Sequence, residues 1–163
     1  MSEPAEYLAT YLRDHRAGAA GGLSLFQRSS RANAGTQLGR LLEQLTQEIV
    51  EDCASLEEIM DSFGVQQHWL KSATAPVAER VGRLKLNRHL LRRSPLSPVI
   101  ELEMLIAGVE TKRNGWRSLQ AVADDYDQLD PARLTELIER ASNQLIRLRD
   151  AHRAAATNAF GPG

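Results

Sequence analysis

The stretch EIVEDCASLEEIMD, residues 48 to 61, carries six carboxylates and neither Lys nor Arg. Carboxylates gathered on one helix can form half of a metal site, or they can be the solvated face of a helical bundle. The groups elsewhere in the chain that could complete such a site are His15 and Glu110, which with Glu48 and Asp52 would make an irregular carboxylate centre. Other chemistries find less support. The four histidines include no pair at metal-binding helical spacing, and no nucleophile-elbow pattern occurs. AGAAGGLS, residues 17 to 24, lacks the Lys-Ser ending of a phosphate loop and follows a helix, not a strand. Cys53 sits among acidic neighbours, which disfavour a thiolate nucleophile.

A second charge run has the opposite sign. RVGRLKLNRHLLRR holds Arg80, Arg83, Lys85, Arg88, Arg92 and Arg93, six basic residues with no acidic one. Such a run can bind phosphate, nucleic acid or an acidic partner. It can equally lie over a bundle and pair with acidic surface, including the run after Leu41. No aromatic residues that could stack bases stand beside these arginines, which argues against nucleic acid.

The elements that must position these groups are helices. Helix one is expected from about Pro4 to Asn33, with the stripe Leu8, Leu12, His15, Ala19, Gly22, Phe26. AGAAGG within it predicts a close approach of a neighbouring backbone, or a kink. Helix two runs from about Thr36, its cap, to Phe63, with Gly64 as the stop. Its seam is Leu38, Leu42, Leu45, Ile49, Asp52, Leu56, Ile59, Phe63, so an aspartate falls on the apolar stripe. Residues 65 to 93 are less regular and long enough to cross a bundle lengthwise. SPLSP marks a break before helix three, about Pro98 to Ala123, where a lysine, Lys112, falls on the seam with Leu105, Val109 and Trp116. DDYDQLD is a turn, and Asp130 before Pro131 caps helix four, which reaches about Ala159 and leaves a frayed tail over 160–163. No strand-like alternation of useful length is present.

Length and composition set the frame for these elements. The chain has 163 residues, enough for one hydrophobic core, and a formal net charge of −1. That balance gives no reason for the chain as a whole to seek nucleic acid or a membrane. A single cysteine excludes an intrachain disulfide framework and any Cys-rich zinc site, and it fits a reducing compartment. No secretory signal pattern opens the sequence and no apolar run reaches the length of a bilayer helix, so a cytoplasmic location is expected.

Four amphipathic helices with short connections within each pair predict an all-α fold, two antiparallel hairpins joined by a long, partly helical crossover. YLRDHRAGA, QEIVEDCASLEEIMDSFGV, GRLKLN and SPLSPVIELEMLIAGVETKRNGWRSL carry a resemblance to an uncharacterised group of bacterial ferritin-like four-helix-bundle proteins. The resemblance covers nearly the whole chain. It implies a di-iron site built from a Glu on each of two helices and a Glu-x-x-His pair on each of the other two. No Glu-x-x-His occurs in the chain, so the expected di-metal centre is degenerate or absent.

What stands in its place is expected to be polar. If helices two and three run parallel, Asp52 and Lys112 lie within about one turn of the same height, with His15 near that layer. A buried Asp and Lys are tolerated when paired and hydrogen-bonded. Lys112 snorkelling to solvent is the other reading. The sequence thus predicts a non-enzymatic binding or structural module with no cofactor, whose polar layer of His15, Asp52 and Lys112 fixes the packing register. The alternatives are an iron- or manganese-binding oxidase or storage protein using His15, Glu48, Asp52 and Glu110, and a regulatory module binding an acidic partner through residues 80–93. A homodimer is a further expectation, with Trp69 and Trp116 either its exposed anchors or equally core residues, and the protein partner is left open.

Overall fold

The computed structural model describes residues 3–65 and 94–162. Within them the chain is all-α, with four long helices: α1 (Glu3–Ala32), α2 (Gln37–Ser62), α3 (Leu96–Gln120) and α4 (Pro131–Phe160). A short 3-10 turn, Ala123–Asp125, lies between α3 and α4. The basic run from Arg80 to Arg93, the expected crossover and Trp69 fall outside the described residues.

Local chemistry sets most helix ends. Thr36 is extended and its hydroxyl accepts from the Gly39 amide at 3.0 Å, capping α2. At the other end of α2, Gly64 adopts φ 65, and the Gly64 and Val65 amides donate to the Asp61 and Met60 carbonyls, both at 2.9 Å. Asp130 caps α4 by accepting from the Ala132 amide, with Pro131 in the first turn. Helix α3 begins two residues before the expected Pro98 and stops at Gln120, short of Ala123. Pro95 already has helical φ and ψ, and the chain tightens into the 3-10 turn after Ala121. The close backbone approach expected of AGAAGG does not occur. Helix α1 is continuous through it, and a Cβ at Gly18, Gly21 or Gly22 would meet no atom within 4 Å. These glycines leave space beside the helix.

The directions of the helices follow from side-chain contacts. Arg16 pairs with Glu57, so α1 and α2 are antiparallel across the short turn that joins them. Gln120 donates to Thr135 and Arg149 to Glu110, so α3 and α4 are antiparallel too. Asn33, at the end of α1, donates to Glu101 near the start of α3, while His15 lies against Gly115; α1 and α3 are therefore antiparallel. On the other side, α4 meets α2 with Arg133 near Ser55 and Arg147 near Glu48. It follows that α2 and α3 run in the same direction, on a diagonal of the bundle. The core between the helices includes Leu12, Leu42, Leu45, Leu102, Leu105, Leu137, Leu145 and Leu148. Trp116, for which the sequence leaves an exposed anchor and a core position equally open, is 3 % exposed and belongs to this core. Its seam position on α3 turns it inward. No helix among the described residues is long and apolar enough to cross a membrane.

Candidate functional site

The centre of the bundle is a hydrogen-bonded layer assembled from three helices. Asp52 of α2 is 2 % exposed and Gln144 of α4 is fully buried. Lys112 of α3 reaches across the diagonal and donates to Asp52 Oδ2 and, at 2.5 Å, to Gln144 Oε1. Gln144 Nε2 donates to Asp52 Oδ2 and to Glu48 Oε2, both at 3.1 Å. The amide orientation follows from these partners, because an ammonium can only donate and a carboxylate can only accept. Arg140 Nε donates to the remaining Asp52 oxygen at 2.7 Å, and its NH1 to Glu51 at 3.1 Å. Arg147 closes the outer edge by donating to Glu48 at 2.5 Å.

The network balances its charges. Glu48, Glu51 and Asp52 face Lys112, Arg140 and Arg147. Burial pushes the Lys112 pKa below its ordinary value, although the charge and hydrogen bond of Asp52 act in the opposite direction. For Glu48, burial pushes upward, but the hydrogen bonds from Arg147 and Gln144 outweigh it and hold the carboxyl below the usual range. Lys112 does not snorkel fully into water: its side chain is 18 % exposed and its ammonium is held by Asp52 and Gln144.

His15 lies close to this layer without joining it. Its Nδ1 is 3.3 Å from the Tyr11 carbonyl, which can only accept, so Nδ1 is the donor there. Nε2 has no hydrogen-bond partner among the described residues. The ring rests on Gly115, where a Cβ would come within 2.6 Å of it. Glu110 faces elsewhere, accepting from Arg113 at 2.7 Å and Arg149 at 2.6 Å. His152 contacts Glu103 at 3.2 Å near the far end of α4.

The donor set does not suit the di-metal centre that the family resemblance implies. Among the described residues there is no group of three or more His, Cys, Asp or Glu side chains placed to hold a metal ion. Both Asp52 oxygens are engaged by cationic donors, and an ammonium stands in the layer itself. Of His15, Glu48, Asp52 and Glu110, only Glu48 and Asp52 share a partner, Gln144. Cys53 offers no nucleophile, since burial, with a smaller push from Asp52, raises its pKa despite the nearby Arg16.

Sequence reasoning singled out Asp52 and Lys112 but not Gln144, Arg140 or Arg147. A signal for the arginines was present. Arg133, Arg140 and Arg147 recur every seven residues, which places them on one stripe of α4. That stripe meets Ser55, then Asp52 with Glu51, then Glu48 along the antiparallel α2. The acidic run therefore finds partners on α4, and Arg16 of α1 takes Glu57.

Beside the layer, between α1, α2 and α3, lies a cavity of about 440 Å³. Comparison of the chain with protein-family models, with curated proteins and with solved structures finds no match.

Proposed function

We propose that the chain is a ferritin-like four-helix bundle in which a neutralised polar layer takes the place of a di-metal centre, and that it acts as a cytoplasmic binding module, not a catalyst. The observation that carries this is the position of Lys112. Its ammonium occupies the middle of the bundle between Asp52 and Gln144, where a cation would repel a metal and neutralise the carboxylate a metal would need. The parallel course of α2 and α3 supports the ferritin-like reading, because Ser62 and Leu96 then lie at opposite ends of the bundle. The layer holds the helices in one register, and the cavity next to it gives the module something to bind.

Elemental analysis by mass spectrometry tests the reading. Protein purified without chelators, and again after loading with Fe(II) and Mn(II) and desalting, is expected to carry far less than one metal per chain. Near-stoichiometric metal that disappears in Glu110→Ala would overturn it and favour the iron or manganese alternative.

A further inference from the structure

The cavity between α1, α2 and α3 is long, with its opening at the middle. On α1 its lining runs from Tyr11 to Phe26 and on the antiparallel α3 from Met104 to Leu119, each about 22 Å at the helical rise. Leu12 and Leu119 line one end and Phe26 and Leu105 the other, all four buried. The exposed lining residues, Asp14, Gly18, Gly108 and Thr111, stand at mid-length and form the mouth. The volume of about 440 Å³ falls within the roughly 300–1,000 Å³ of small-molecule sites. The space exists because Gly18, Gly22 and Gly108 have nothing within 4 Å of where a Cβ would stand.

The charges at this cavity are matched within the protein or stand in water. Lys112 and Asp52 lie on its floor, where Asp52 and Gln144 hold the ammonium. One Asp52 oxygen accepts from Lys112 and Gln144 and the other from Arg140. Asp14 is exposed at the rim. The unpaired ring nitrogens of His15 and Trp116 are covered and turn no accessible polar surface to the interior. A charged ligand group inside would therefore leave water without gaining a free counter-charge, which is costly for either sign. Water is poorly held there as well, since a buried water needs roughly two to four polar partners. Apolar matter gains by entering, because it displaces loosely held water from aliphatic and aromatic walls.

We infer that the cavity binds a neutral, elongated hydrocarbon chain bearing at most a hydroxyl group, admitted through the mid-length mouth and lying along α1 and α3. With the opening at the middle and buried side chains at both ends, the termini of such a ligand lie under the helices, where a terminal charge would be desolvated. The inference rests on the binding-module reading above and names the class of its ligand. Affinity then follows the apolar area buried, with no charged head group recognised.

Calorimetric titration of the full chain, its metal content measured beforehand, tests this with hexanol, heptanol and octanol and with the charged octanoate and octylammonium. Saturable 1:1 binding of the alcohols is expected, tightening about fourfold with each added methylene. Both charged ligands should bind more weakly than octanol by at least about tenfold. Gly22→Leu sends a side chain from the apolar stripe of α1 into open space, so it should keep the wild-type circular dichroism and lose at least about tenfold in octanol affinity. Gly18→Leu, at the mouth, should act in the same direction. Gly21→Leu also meets open space but does not line the cavity, and should bind octanol as the wild type does. A charged ligand as tight as octanol would overturn the neutral assignment, and affinity indifferent to chain length would overturn the hydrocarbon one. Octanol binding untouched by both Gly18→Leu and Gly22→Leu, or lost equally in Gly21→Leu, would overturn the site. Metal-free protein that takes up no octanol overturns the ligand while leaving the polar layer standing. Near-stoichiometric metal overturns the binding-module reading itself.

Discussion

Removing the Lys112 ammonium leaves Asp52, 2 % exposed, with Arg140 and Gln144 as its remaining donors and Gln144 Oε1 with no partner. Lys112→Met should therefore destabilise the fold by about 3–5 kcal/mol in urea denaturation. If the layer serves register more than stability, the triple variant Asp52→Leu, Lys112→Met, Gln144→Leu should recover most of that loss, because no buried charge then lacks a partner. A triple variant as unstable as the single one would refute this account of the layer. Glu48 adds a pH signature. Its folded pKa lies below the ordinary 4.5, so its stabilising contribution is complete above that pH and is lost as pH falls through the folded value. The gap in urea midpoint between wild type and Glu48→Gln should accordingly be widest above pH 5 and close toward pH 3, and a gap constant with pH would contradict the Arg147–Glu48 pairing. Asp52 and Lys112 could be picked out in the sequence because a charge on an apolar seam is conspicuous. Gln144 could not, since an uncharged amide on a seam carries little contrast, and its value as a relay between Lys112 and two carboxylates is a property of three helices together.

Among elements, the glycines divide by what stands beside them, and that division is invisible in the sequence. Gly22 lies in the helical interior of α1 with open space around it, so Gly22→Ala should raise stability by roughly 0.5–1 kcal/mol through the unfolded chain. Gly39 packs its Cα on the Asn33 carbonyl, a backbone group held in the α1–α2 turn by the Thr36 amide and hydroxyl. There Gly39→Ala should cost about 1–3 kcal/mol, because a backbone group cannot rotate away as a side chain can. Thermal unfolding midpoints moving in opposite directions for the two variants would bear out the contrast, and a shared direction would sink it. The caps at Thr36, Gly64 and Asp130 were readable because each is a local signal completed within a few residues. AGAAGG was misread for the complementary reason. A run of small residues permits close approach without requiring it, and which outcome occurs depends on the neighbouring α3, where Gly108 supplies a second gap opposite the first.

At the scale of the whole molecule, the periodicities specified four helices, while their directions came from contacts no single helix encodes. The heptad arginines of α4 set it antiparallel to α2, and Asn33 with His15 set α1 antiparallel to α3. Those two relations, with the antiparallel pairs joined by short turns, leave α2 and α3 parallel. The parallel course is what brings Asp52 and Lys112, near the same depth in their helices, to one level. Its geometric consequence is large: α2 has 26 residues and is about 39 Å long, so Ser62 and Leu96 are at opposite ends of the bundle. Spin labels at these two exposed positions, in a chain carrying Cys53→Ala, should give a dipolar distance distribution centred at roughly 35–40 Å. An up-and-down bundle would bring the same labels within about 15 Å, with the start of α3 beside the end of α2. The short distance would dissolve the common level of Asp52 and Lys112, and with it both the polar layer and the floor of the cavity. The long one ties the chemistry of the centre to a topology in which α2 and α3 begin at the same end of the bundle.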